Sequence, residues 1–126
     1  MRITEQEERI LGHVLEMLGS DTPTAQSLED YLVGYGVLGR LCAVAQGEAE
    51  FAEQVRKIEW AKAFSAAKQS GEKVTDRAAE IAADLAVDSL RRAEIKKREH
   101  LMLLKGTRES VQEAIWAVKY LGRNGG

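Results

Sequence analysis

Ile10, Leu11, Val14, Leu15 and Leu18 recur at intervals that place them on one face of a helix. The segment opens on Thr4-x-x-Glu7, which has the form of a capping box, and runs out at Gly19. A short amphipathic helix is therefore predicted within residues 1–19. SDTPT follows as a linker, with Thr22 or Thr24 placed to cap the next element and Pro23 suited to its first turn. From there to Ser70-Gly71 alanine, glutamate, glutamine, lysine and leucine dominate, and no window shows the alternation of a strand, so a long helix is predicted over 24–69. Gly71 marks a turn and Thr75 a second cap. Beyond it Leu101, Leu104, Arg108, Val111, Ile115 and Val118 alternate steps of three and four, a heptad seam interrupted only by the arginine, which predicts a second long helix over 75–121. The pattern as a whole specifies an all-α fold in a single domain, 1–126: a short N-terminal helix, then a long antiparallel helical hairpin, coiled-coil-like.

A chain of 126 residues builds only a modest core, and self-association would add burial. The final helix carries more apolar surface than one stripe, with Trp116 and Tyr120 turned partly aside. Leu101, Leu104, Val111, Ile115, Val118 and Leu121 are therefore the expected oligomerisation residues. MRITEQEER lacks the basic-then-apolar order of a secretory signal, and YLVGYGVLGRLCAVA is broken by Arg40 and falls short of the roughly 18 residues a membrane span needs. The expected location is cytoplasmic. Cys42, the one cysteine, can form neither an intrachain disulfide nor a zinc site and reads as a small core residue.

Charge changes this picture more than composition does. The net charge of −2 conceals ten acids against three bases in residues 1–53, a net of −7, and nine bases against four acids in residues 91–126, a net of +5. Within RRAEIKKREH, Arg91, Arg92, Lys96, Lys97 and Arg98 form a basic block. An antiparallel hairpin turning near residues 70–74 brings Arg91, Arg92, Lys96 and Lys97 opposite Glu48, Glu50 and Glu53. The block then reads as a partner for those acids that helps set helix register, with direct phosphate binding as the alternative role.

Other motifs carry weaker chemistry. GYGVLG, residues 34–39, matches G-x-G-x-x-G but lacks the preceding strand of a dinucleotide site, so its glycines are expected to serve close helix approach or a kink. Glu80, Asp84 and Asp88 repeat every four residues and could line one helix face as metal ligands, a use of carboxylates found in all-α nucleotide pyrophosphatases, whose signature is E-x-x-E followed by E-x-x-D, and Glu50-x-x-Glu53 supplies its first half. The second half of that enzyme signature is absent, since Ala83 stands three after Glu80, and Arg77, Arg91 and Arg92 lie close enough to neutralise the stripe. His13 and His100 have no partner at ligand or catalytic spacing. Near the turn, Arg56, Lys57, Lys62, Lys68, Lys73 and Arg77 form a basic set. Trp60 and Phe64, four apart, offer stacking faces for single-stranded bases or, as such pairs more commonly do, fill core.

EAIWAVKYLGR near the C-terminus, together with two long helical segments separated by a lysine-rich stretch and Ser70-Gly71, resembles the UvsY-type recombination mediators of tailed phages over residues 24–123. That resemblance implies a helical, self-assembling, non-enzymatic protein. It would bind single-stranded DNA and help load a strand-exchange recombinase onto strands coated with single-strand-binding protein. It also implies the host cytoplasm as the site of action if the chain is phage-encoded. In the family a Lys and an Arg shortly before the Ser-Gly contact DNA. Alignment on Ser70-Gly71 puts Ala63 and Ser65 at those places, so the role passes to Lys62 and Lys68. AVKYLG, 117–122, matches the end of the family's last helix, a segment implied to serve assembly. The expected partners are thus single-stranded DNA, a recombinase, single-strand-binding protein and further copies of the chain, in a ring for example, with no membrane, metal or cofactor. The rival readings are a helical structural or regulatory module that binds another protein without touching DNA and, behind it, the metal-dependent nucleotide pyrophosphatase.

Overall fold

The computed structural model describes residues 3–19, 25–71 and 73–124, with the side chains of residues 25, 26 and 121–124 outside that description. Thr22, Pro23 and Thr24, expected to start the second helix, and the side chain of Leu121 therefore lie outside the described residues. Four helices account for the ordered backbone: α1 Glu5–Leu18, α2 Ala25–Gln69, α3 Asp76–Ala86 and α4 Asp88–Asn124. There is no strand among the described residues, and no helix there is long and apolar enough to cross a membrane.

The capping box forms as its spacing predicts. Thr4 Oγ1 accepts from the Glu7 amide at 3.1 Å, and Glu7 Oε1 accepts from the Thr4 amide at 3.1 Å. Thr75 caps α3 in the same manner, its hydroxyl accepting from Ala78 N at 3.1 Å. The predicted helix over 75–121 is corrected in one respect, because it is divided at Val87, where φ is −103° and ψ 11°. The hydrogen-bond ladder nevertheless runs through the break, with Val87 N donating to Ala83 O and Arg91 N to Val87 O. Ala79, Ala83 and Val87 are all buried at four-residue steps. Steps of four keep all three on one face of the helix, the face turned inward here.

Contacts divide the chain into two compact units where the sequence pattern reads as one domain: Met1–Ala45 with Leu101–Gly126, and Gln46–His100. The first unit has the apolar core. Val14 of α1, Tyr31 and Leu38 of α2, and Val111, Ile115 and Val118 of α4 form one buried cluster, flanked by Leu11, Leu28 and Leu104 among others. Each of the larger aliphatic side chains contributes about 1.5–3 kcal/mol on burial. Leu101 is buried as well, so the seam expected to serve oligomerisation is occupied within the chain. What α4 leaves exposed in this unit is Met102, Leu103, Trp116 and Tyr120. Cys42 is buried, as a core residue should be.

The second unit packs mainly small residues. Its fully buried positions are Ala49, Ala79, Ala83, Val87 and one carboxylate, Glu94. Side-chain pairs between α2 and α3–α4 descend in order, Lys68 with Asp76, Trp60 with Asp84, Arg56 with Glu94 and Glu48 with Lys97, so these segments run antiparallel inside the unit.

The glycine motif is explained by the first unit. A β-carbon on Gly34 would collide with Cγ2 of Val14, so the α1–α2 approach needs glycine there. Gly39 lies beneath the Arg108 guanidinium, which also sits over the Tyr35 ring 4.4 Å from its centroid. The arginine that interrupts the heptad seam is thus a cation–π partner packed on a glycine notch. Around Gly36 there is open space. These three positions give a paired test by chemical denaturation. Gly34→Ala should cost about 1–3 kcal/mol, because Val14 is stiff at χ1 and buried, whereas Gly36→Ala should be neutral or stabilise by up to about 1 kcal/mol through helix propensity.

Candidate nucleic-acid interface

The basic residues of the second unit arise from the exposed faces of two helices that also carry most of its acids, and the structure shows them largely paired. Arg56 Nε donates to Glu94 Oε2 at 2.6 Å, in the most buried ion pair of this unit among the described residues. Burial alone would push the Glu94 carboxyl up, but the hydrogen bond from Arg56, joined by the nearby charges of Arg56 and Arg98, holds it below the ordinary value of 4.5. The same bond raises Arg56 above its usual range. Neither partner of this pair was foreseeable from motif spacing; the signal available was a glutamate on the inward track that continues Ala83 and Val87.

The remaining site residues fall into three groups. Lys57 pairs with Glu53 at 3.4 Å, Lys62 with Glu59 at 3.3 Å and Arg77 with Glu80 at 3.6 Å, all within one helix and solvent-exposed. Lys68, to which the DNA role passes by alignment, donates to Val74 O at 2.8 Å and pairs with Asp76 at 2.9 Å, so it braces the turn after α2. Lys73 and Lys96 are exposed and have no ion pair among the described residues. Of the block at 91–98, Lys97 reaches Glu48 at 3.7 Å, as the register predicted, and Arg98 reaches Glu53 at 3.4 Å, a pairing the register did not name. Arg91 and Arg92 behave differently, pairing with Asp84 at 3.6 Å and Asp88 at 2.9 Å, while Glu50 accepts a hydrogen bond from Gln46.

Three of the predicted cations do converge. Arg56, Lys57 and Arg91 line an open cleft of about 300 Å³ together with Trp60. Trp60 stacks on Phe64 with ring centroids 5.2 Å apart and planes 16° from parallel, and both rings are half-buried. Its indole Nε1 donates to Asp84 Oδ1 at 2.9 Å, which fixes the ring at the cleft wall. A half-exposed aromatic face beside three cations is chemically suited to a base and its phosphate.

The carboxylate stripe is accounted for by pairing. Glu80, Asp84 and Asp88 each face an arginine, and no group of three histidine, cysteine or acidic side chains close enough to hold a metal exists among the described residues. In the other unit His13 is exposed, and its Nε2 lies 3.0 Å from Asp30 Oδ2. Glu7, beyond capping α1, takes two hydrogen bonds from Arg40, at 2.7 and 2.6 Å, which hold its carboxyl below the ordinary range. No protein-family model matches this chain, and no curated protein or solved structure matches it.

The Arg56–Glu94 pair predicts acid sensitivity of definite sign. A carboxyl lowered in the folded state contributes stability that is complete above its unfolded value and is lost as pH falls through the lowered folded value. Glu94→Ala should therefore cost about 3 kcal/mol near pH 7, where it strands a largely buried guanidinium. The difference from the unsubstituted protein should narrow progressively in urea titrations taken below the ordinary carboxyl range, where the unfolded chain takes up a proton at Glu94 that the folded pair resists.

Proposed function

We propose that this protein is a non-enzymatic binder of single-stranded DNA that assists recombination in the manner of the UvsY-type mediators its C-terminal segment resembles. The observation that carries the reading is the cleft in which Arg56, Lys57 and Arg91 flank the Trp60 ring. Bases stack on the aromatic face while the cations meet the backbone, an arrangement that tolerates any sequence, as loading of a recombinase requires. A single cleft of this kind binds weakly. Copies of the chain joined through exposed apolar surface, in a ring or otherwise, would multiply the contacts along one strand, since each phosphate neutralised releases counterions.

Lys57→Ala with Arg91→Ala tests this directly in salt titrations of a labelled oligonucleotide. Removing two phosphate contacts should reduce the slope of log affinity against log salt by about 1.4, at about 0.7 per contact on a single strand. The fold should be retained, because both side chains are exposed and their pairs are worth little. Arg56 is unsuited to this experiment, since removing it strands Glu94. An unchanged slope would relocate the site to Lys73 and Lys96.

A second reading, a helical module that binds protein without touching DNA, is favoured by a different observation. Leu15, Leu18, Met102, Leu103, Gly106, Thr107 and Ser110 line an open, largely apolar cleft of about 430 Å³ in the first unit, where Met102 and Leu103 are 71 % and 72 % exposed. We assign this surface to contact between copies. Sedimentation equilibrium at micromolar concentration should show a species heavier than 13.9 kDa, dissociated by Met102→Glu with Leu103→Glu. Ile115, which lies in the core, cannot serve as the site of such a substitution without loss of the fold.

A further inference from the structure

Asp84 stands where the cleft would be expected to keep its donors free. Its Oδ1 accepts from Trp60 Nε1 at 2.9 Å and lies 3.6 Å from an Arg91 guanidinium nitrogen, so one carboxylate oxygen occupies two of the four residues that line the cleft. From these contacts, and resting on the DNA-binding reading above, we infer that Asp84 is a built-in competitor for the phosphate of the bound strand, holding the site closed to small anions and yielding only to a polyanion.

The chemistry follows from the strengths of the competing contacts. The Asp84–Arg91 contact is long and both side chains are about half exposed, 52 % and 44 %. A pair of that kind is weak, screened by solvent and easily exchanged. A phosphodiester presents the same anionic oxygens, can engage a guanidinium through two parallel hydrogen bonds, and can therefore take the arginine from the carboxylate. An isolated phosphate gains little by the exchange, because the displaced carboxylate remains nearby as a repelling charge. A strand gains counterion release at every neighbouring contact and can bear that cost. Displacing Asp84 also frees the Trp60 indole N–H, which turns the ring from a tethered wall into a platform able to adjust to a base.

Asp84→Asn removes the charge while keeping an acceptor for Trp60, and it lies in the last turn of α3, where loss of a negative charge suits the helix dipole. Asp84→Ala removes both. Asp88→Asn is the charge-matched control, because Asp88 pairs with Arg92, which does not line the cleft. Binding is read by anisotropy of a labelled single-stranded oligonucleotide across a salt series, with Trp60 quenching measured in a Trp116→Phe background, since the chain has two tryptophans. Both Asp84 variants should bind several-fold more tightly at an unchanged salt slope, since Arg91 already meets a phosphate in the unsubstituted protein, and should narrow the preference for the oligonucleotide over a mononucleotide; Asp88→Asn should do none of this. Equal tightening by Asp88→Asn would make the effect one of net charge and overturn the assignment. So would unchanged or weakened binding in the Asp84 variants when the unsubstituted protein binds through Lys57 and Arg91, and in that case the DNA-binding reading would stand. If neither the unsubstituted protein nor any variant binds, both readings fall.

Discussion

A carboxylate buried to 7 % exposure among alanines is the constraint on which the second unit depends. Ala49, Ala79 and Ala83 let helical backbones approach closely, yet they supply little apolar area to fix one helix against another. Glu94 supplies the missing specificity. Its charge has lost most of its water, so a register that does not deliver a cation to it is heavily penalised, and Arg56 at 2.6 Å is the cation delivered. Arg98 then bridges Glu94 and Glu53, and Lys97 reaches Glu48, extending one buried pair into a graded network that ends in solvent. The pair's value lies in uniqueness of packing more than in stability, since the desolvation of both ions offsets much of their attraction.

The first unit solves the same problem with shape. Its apolar cluster is broad enough to be stable, and the fit is set by a point of contact too close for any side chain, Gly34 against Val14. Glu7 adds direction by serving two elements at once, capping α1 through its contact with Thr4 and gripping Arg40 of α2. Because one carboxylate satisfies both, the start of α1 and its placement on α2 are coupled. Of the glycines of GYGVLG, Gly34 has a packing account, whereas a β-carbon on Gly39 would make only ordinary contact with Arg108.

Charge compensation also shapes the candidate site. Almost every cation of the second unit lies within reach of an acid, which leaves a locally neutral surface with a few free lysines. A surface so compensated exerts little net field on small ions. The cleft at Trp60 differs from the rest in joining an aromatic face to cations, and Arg56 owes its place there to Glu94. Structural and candidate functional roles therefore meet in one side chain.

Helix content, both threonine caps and the turn after Ser70 were legible in the sequence because each is a local matter, decided by side-chain period and by hydrogen bonds spanning three or four residues. The facing of the 91–98 block toward residues 48–53 was legible in part, since antiparallel geometry converts sequence distance into spatial order, and Lys97 obeys it. Arg91 and Arg92 do not, because Asp84 and Asp88 compete from the same face at shorter reach. The seam at Leu101, Val111, Ile115 and Val118 was legible as apolar, but period alone cannot say whether a stripe meets its own chain or another; α1 and α2 decide that here by covering it. The break at Val87, the burial of Glu94, the seat of Arg108 on Tyr35 and the gathering of Arg56, Lys57, Trp60 and Arg91 belong to the tertiary structure alone. Each depends on which residues distant in sequence come within a few ångströms, and desolvation and steric fit act only at that range.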